Sequence, residues 1–187
     1  MNFRLFLIIL CLIGFFGCGA QAANPPAWIQ PGTVIMYKMV SSGISGAPPQ
    51  GFVNYTIFNT DGYSYEGISE LVDVGRNPVS ASYWSYDPGL AMMGRYGLIT
   101  DGGFWVDADD YAIQRDQNGT GRFEAGGEFW NVAKVSYGDR GSSGGTSVDL
   151  LYDLNSGLVL QWIFYNTDKS QYVLYEFIGI GQEELTD

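Results

Sequence analysis

What most constrains this chain is a period of two. Runs rich in Tyr, Val, Ile, Phe and Thr recur at short intervals between residues 33 and 180, and Gly, Asn, Asp or Ser separate them. Apolar residues at every second position suit a pleated strand, whereas a helix needs them every third or fourth. The pattern predicts strands near 33–40, 51–58, 63–74, 79–86, 95–99, 128–137, 146–153, 157–165 and 171–180. No segment has the periodicity of a helix of ordinary length, although 87–94, DPGLAMMG, suits a single turn. The links YDLNSG and YNTDKSQ are too short for a crossover helix, so the last three strands form an antiparallel meander. The expected fold class is therefore all-β: a single antiparallel β-sandwich or partly closed β-barrel over residues 33–181, with at most one or two short helical turns.

Alternation within the last strands is unusual. In 157–165 one face holds Leu158, Leu160, Trp162 and Phe164, and the other holds Val159, Gln161, Ile163 and Tyr165. In 171–180 Tyr172, Leu174, Glu176 and Ile178 oppose Val173, Tyr175 and Phe177. A sheet with one face in water alternates apolar and polar residues cleanly, and this pair does not. Either a second layer covers the outer face, or the strands line a barrel whose interior is a core or a ligand cavity.

The chain opens with a short cationic start at Arg4 and an apolar run from Leu5 to Phe16. That run has the length of a signal-peptide core and is short for a bilayer span. Ala20-Gln21-Ala22 fits the small-x-small cleavage rule, which makes 1–22 a signal peptide and the protein secreted or periplasmic. The stretch FFGCG also resembles the lipobox of bacterial lipoproteins, which implies an alternative ending with a lipid on Cys18 and attachment to the cell envelope. Residues 23–32, ANPPAWIQPG, read as an extended lead-in, and 182–187 as an acidic tail.

Both cysteines, Cys11 and Cys18, fall in the leader, and the chain has no histidine. A chain starting after Ala22 thus has no disulfide, no thiol chemistry, no Ser-His-Asp or Cys-His catalysis and no His-ligated zinc. The full sequence has a formal charge of −11, and losing Arg4 with the leader makes it one unit more negative. Such a field opposes nucleic acid and anionic membrane surfaces, so the membrane is met only through the leader or a lipid on Cys18. GSSGG at 141–145 satisfies the G-x-S-x-G pattern but lacks the histidine base and the strand-to-helix turn that a nucleophile elbow needs.

Two constellations deserve a site reading. DADDYAIQRDQNGTG at 107–121 offers Asp107, Asp109, Asp116 and Asn118 as oxygens for a weak calcium site. The match to a D-x-D-x-D-G loop is partial, because Tyr111 takes the third place from Asp107 and Gly127 the twelfth from Asp116. Capping accounts for the same residues without a metal: Asp107 suits the N-cap of one helical turn, and Asn118-Gly119 is a hairpin turn signal. The second constellation is aromatic. Tyr83, Trp84 and Tyr86 lie close together in SYWSY, with Trp105 elsewhere, and rings of this kind form either a core or a ligand-binding platform.

LLYDLNSGLVLQWIFYN at 150–166 resembles the YD-x-x-(S/T)-G-Leu hairpins of many exported β-domains, half-barrel carriers of lipids and lipoproteins among them. The resemblance implies a hairpin and carries no site residue. No cofactor is expected. The leading expectation is a non-catalytic extracytoplasmic β-domain that binds a partner protein, an envelope component or a glycan. The alternative is a carrier of an apolar ligand or lipid in a barrel or half-barrel cavity, with a carboxylate-based glycoside hydrolase a distant third.

Overall fold

The computed structural model describes residues 27–60, 65–86, 104, 119–138, 146–166 and 170–183, with 84–86, 135, 137, 138 and 146 described by their backbone. Nine strands make up the fold: β1 Thr33–Ser42, β2 Gln50–Thr60, β3 Tyr65–Asp73, β4 Pro78–Tyr86, β5 Thr120–Ala125, β6 Glu128–Gly138, β7 Thr146–Asp153, β8 Val159–Asn166 and β9 Tyr172–Gln182. They form one antiparallel sheet in the order β4-β3-β2-β1-β9-β8-β7-β6-β5. Two meanders of sequential neighbours thus meet at a single seam, where β1 pairs with β9 from Thr33–Gln182 to Ser42–Tyr172. There is no helix among the described residues.

The all-β reading holds, and so does the C-terminal meander. The strand expected at 95–99 and the helical turns expected at 87–94 and after Asp107 lie outside the described residues. β5 is a finding: TGRFEA has one ring and two charges and no clear alternation, so its pairing with β6 leaves little trace in composition.

The sheet does not close into a barrel, yet it curls far enough to touch itself. Phe177 on β9 meets Trp130 on β6 edge-on, with ring centroids 5.8 Å apart. The β5–β6 turn lies directly over the same ring. A Cβ at Gly126, whose φ is +60°, would sit 2.9 Å from Phe177 Cε1, so the close approach and the left-handed backbone both require glycine there.

The register explains the curl. Four residues have no partner across a strand pair: Phe58 in β2, Val79 in β4, Leu160 in β8 and Ile178 in β9. Each is a bulge, which adds a residue on one side, bends the strand and raises its twist. Bulges also break the period of two. At Leu160 the break lets neighbouring Val159 and Leu160 both be fully buried, which accounts for the doubly apolar start of this strand. At the other three sites it leaves an apolar side chain partly exposed.

The inner face is the core. β1 contributes Ile35, Tyr37 and Met39; β2 contributes Val53, Tyr55 and Ile57; β7 contributes Val148, Leu150 and Tyr152. Each such side chain contributes roughly 1.5–3 kcal/mol on burial. Tyr37 does more than fill space. Its ring crosses under β9, and its hydroxyl donates to the Val159 carbonyl of β8 at 2.8 Å, strapping the two meanders together. The hairpin before β8 is equally specified. Asp153 Oδ2 accepts from the Ser156 N–H and hydroxyl, each at 2.8 Å, and from the Asn155 N–H at 3.2 Å. Gly157 supplies the positive φ that returns the chain.

Tyr37→Phe removes the strap while keeping the ring. We expect it to lower stability by about 1–2 kcal/mol, the loss of one buried hydrogen bond. Urea unfolding with an unchanged slope measures it, and an unshifted midpoint would show that the strap contributes nothing.

Candidate functional site

The inner face has two ends of different character. At the sealed end, residues 27–32 form turns before β1, Ile29 is buried and Trp28 packs against the core. Phe104, fully buried, fits between Trp28, Tyr55 and Tyr65, with ring centroids 6.2, 5.5 and 5.6 Å away. Its carbonyl accepts the Val159 N–H at 2.9 Å. Phe104 therefore plugs this end of the curled sheet.

The other end is only partly covered. Trp162 on β8 and Tyr175 on β9 face each other across the ladder and stack, with centroids 3.9 Å apart and planes 11° from parallel. Phe164 meets Trp162 edge-on at 5.1 Å. Trp162 is buried, but Phe164, Val173 and Tyr175 are half-buried. The indole N–H of Trp162 is buried and has no hydrogen-bond acceptor among the described residues. A buried donor left without a partner costs about 1–3 kcal/mol, so the site is chemically incomplete.

Among the described residues this face carries no charge at neutral pH. Burial raises the Tyr37 phenol well above its ordinary value, with Tyr55 and Tyr65 adding to the effect. Burial raises Tyr55 too, with a smaller push from Tyr175, and burial alone raises Tyr175. The acidic groups act elsewhere. Asp149 pairs with Lys134 at 3.2 Å. Exposed Asp73 is lowered mainly by the Asn77 side-chain amide, helped by backbone donors, in the β3–β4 turn. Among the described residues no group of three or more Asp, Glu, Cys or His is placed to hold a metal.

Of the residues singled out from the sequence, Tyr83 is placed in full. It is 82% exposed on the outer face of β4 and meets Phe58 edge-on at 6.2 Å. The register sets Trp84 across from Gly67 and Tyr86 across from Tyr65, but their side chains lie outside the described set. Trp105, Asp107, Asp109, Asp116, Asn118 and Cys18 lie outside the described residues. The sequence does not mark the Trp162–Tyr175 pair as a site. Its signal was the mixed alternation of these two strands, which core packing explains equally well from sequence alone.

No family model matches the chain, and no curated protein matches it. Solved structures do. A lipoprotein candidate from Parabacteroides distasonis is similar with a TM-score of 0.51 at 10% identity, over 85% of this chain and 100% of its own. A candidate exported protein with a YmcC-like fold, from Bacteroides fragilis, is similar with a TM-score of 0.51 at 10% identity, over 86% of this chain and 100% of its own. MucB aligns at a TM-score of 0.45 and 12% identity, over 86% of this chain and 56% of its own. The likeness is one of fold.

Two outcomes follow from the inner face. The buried phenols favour the folded state in their neutral form. Their contribution is complete below about pH 10, the ordinary tyrosine value, and is lost as pH rises toward the raised folded values. Tyrosinate absorbance followed together with circular dichroism should show late ionisation accompanied by unfolding. Full ionisation with the fold intact would contradict it. Trp162→Phe should change stability by less than about 1 kcal/mol in urea, because lost ring area is offset by removal of an unpaired donor. A loss of several kcal/mol would mean that the indole N–H is satisfied.

Proposed function

We propose that this chain is an exported, non-catalytic β-domain that holds an apolar chain against the open end of its inner face. The observation that carries the reading is the stacked Trp162–Tyr175 pair, flanked by half-buried Phe164 and Val173. A ring platform beside aliphatic surface offers contact area without charge, which suits a hydrocarbon chain or an apolar peptide side chain. The indole N–H of Trp162 gives such a ligand one directed contact, an oxygen of the carbonyl or carboxylate class. A chain without histidine, and without cysteine beyond residue 18, supports a non-catalytic role.

Export is supported by the leader pattern at 1–22 and agrees with a fold shared with exported and lipoprotein candidates. The mature protein is then free, or held to the envelope through Cys18. The carboxylates Asp107, Asp109 and Asp116 with Asn118 stand as a possible weak cation site. An unshifted melting midpoint on adding chelator would remove it as a stabilising site.

Titrating the chain with a polyene fatty acid tests the apolar-ligand reading by energy transfer from tryptophan. Saturable transfer is expected, and Tyr175→Ala should weaken it by about tenfold, the loss of one well-packed ring contact. Native mass spectrometry of protein from its own host provides the second readout. It should show a retained apolar ligand and reports any lipid on Cys18 in the same spectrum. No saturable transfer and no retained ligand would together remove the reading.

A further inference from the structure

We infer that the free edge of β4 takes up one further strand: an extended peptide with Lys or Arg at every second residue. Among the described strands the sheet ends in two edges, β4 and β5, and they differ. β5 is six residues long and carries Arg122 and Glu124, charges of the kind that guard an exposed edge against pairing. β4 is nine residues long, PVSASYWSY, without a charged residue. Residues 78–83 are all exposed. Pro78 and the bulge at Val79 disturb its start, and from Ser80 to Tyr86 the register with β3 is unbroken. A strand of this kind offers a row of backbone donors and acceptors to an incoming chain.

The outer face beside this edge selects the occupant. Glu66 and Glu70 on β3 are exposed and pair with Ser85 and Ala81. Neither carboxylate has a cation partner among the described residues. An added strand would lie about 10 Å from β3, two strand spacings, a gap that Lys or Arg and Glu side chains span together. Between the two glutamates Ile68 pairs with Tyr83, whose exposed ring offers its face to a cation. The same molecule already makes that contact nearby, where the Arg76 guanidinium lies 4.3 Å from the centre of the Phe52 ring. Alternating cations on the added strand therefore meet carboxylate, ring and carboxylate in turn. A second copy of this chain is the poorer occupant. It would bring a like acidic row to the same face, in a chain whose formal charge is −11.

Fluorescence anisotropy on the full chain tests the inference with three labelled peptides of strand length. One alternates Lys with Val, one alternates Glu with Val, and one holds the same Lys and Val in two blocks. The alternating Lys peptide should bind, more weakly as salt rises, and the other two should not. Glu66→Gln with Glu70→Gln should weaken binding about fivefold, as expected for two exposed ion pairs. Ala81→Lys should weaken it at least as much, with thermal melting confirming that both variants are folded. Equal binding of the block peptide, binding of the Glu peptide, or full affinity in the double Gln variant would each overturn the inference. So would sedimentation showing a dimer of the chain alone that Ala81→Lys disperses, since the edge would then belong to a second copy.

Discussion

A single sheet covers its apolar face chiefly by curling over it, here with Trp28, Ile29 and Phe104 closing one end. That constraint governs the rest of this structure. The inner side chains of β1, β2 and β7 are removed from water because the sheet bends until β9 meets the β5–β6 turn. The bend has local causes, since the register skips a residue at Phe58, Val79, Leu160 and Ile178. Each skip raises twist, and a twisted ribbon of nine strands curls where a flat one would lie open. Tyr37 then fixes the curl from within through its bond to the Val159 carbonyl.

The period of two made the strands legible, because half-buried sheets impose it on composition. It fails where a bulge intervenes. Val159 and Leu160 are neighbours that both point inward, and their residue types are the same with or without a skipped position. β5 was illegible for another reason: with Arg122 and Glu124 on so short a strand, its pairing depends on β6 and not on its own pattern. The site was less legible still. Trp162 and Phe164 read as one apolar face from sequence, but whether a ring is sealed or half-covered depends on strands far away in the chain. Sequence left the rings of SYWSY as either core or platform; the fold puts Tyr83 outside.

Charge is sorted by face. The described acidic groups sit on turns and on the outer face, while the inner face holds neutral phenols, an indole and aliphatic chains. A strongly acidic protein can therefore present an uncharged interior surface to a ligand and an anionic exterior to a partner.

The seam between β1 and β9 has a consequence for the order of events in folding. Each meander is built from contacts between neighbours in sequence, but the seam joins Thr33 to Gln182. Neither half can bury its inner face fully until the last strand is available, so the chain stays open throughout synthesis. Single hairpins can form as they are made, but the inner face closes only when both ends of the chain are present.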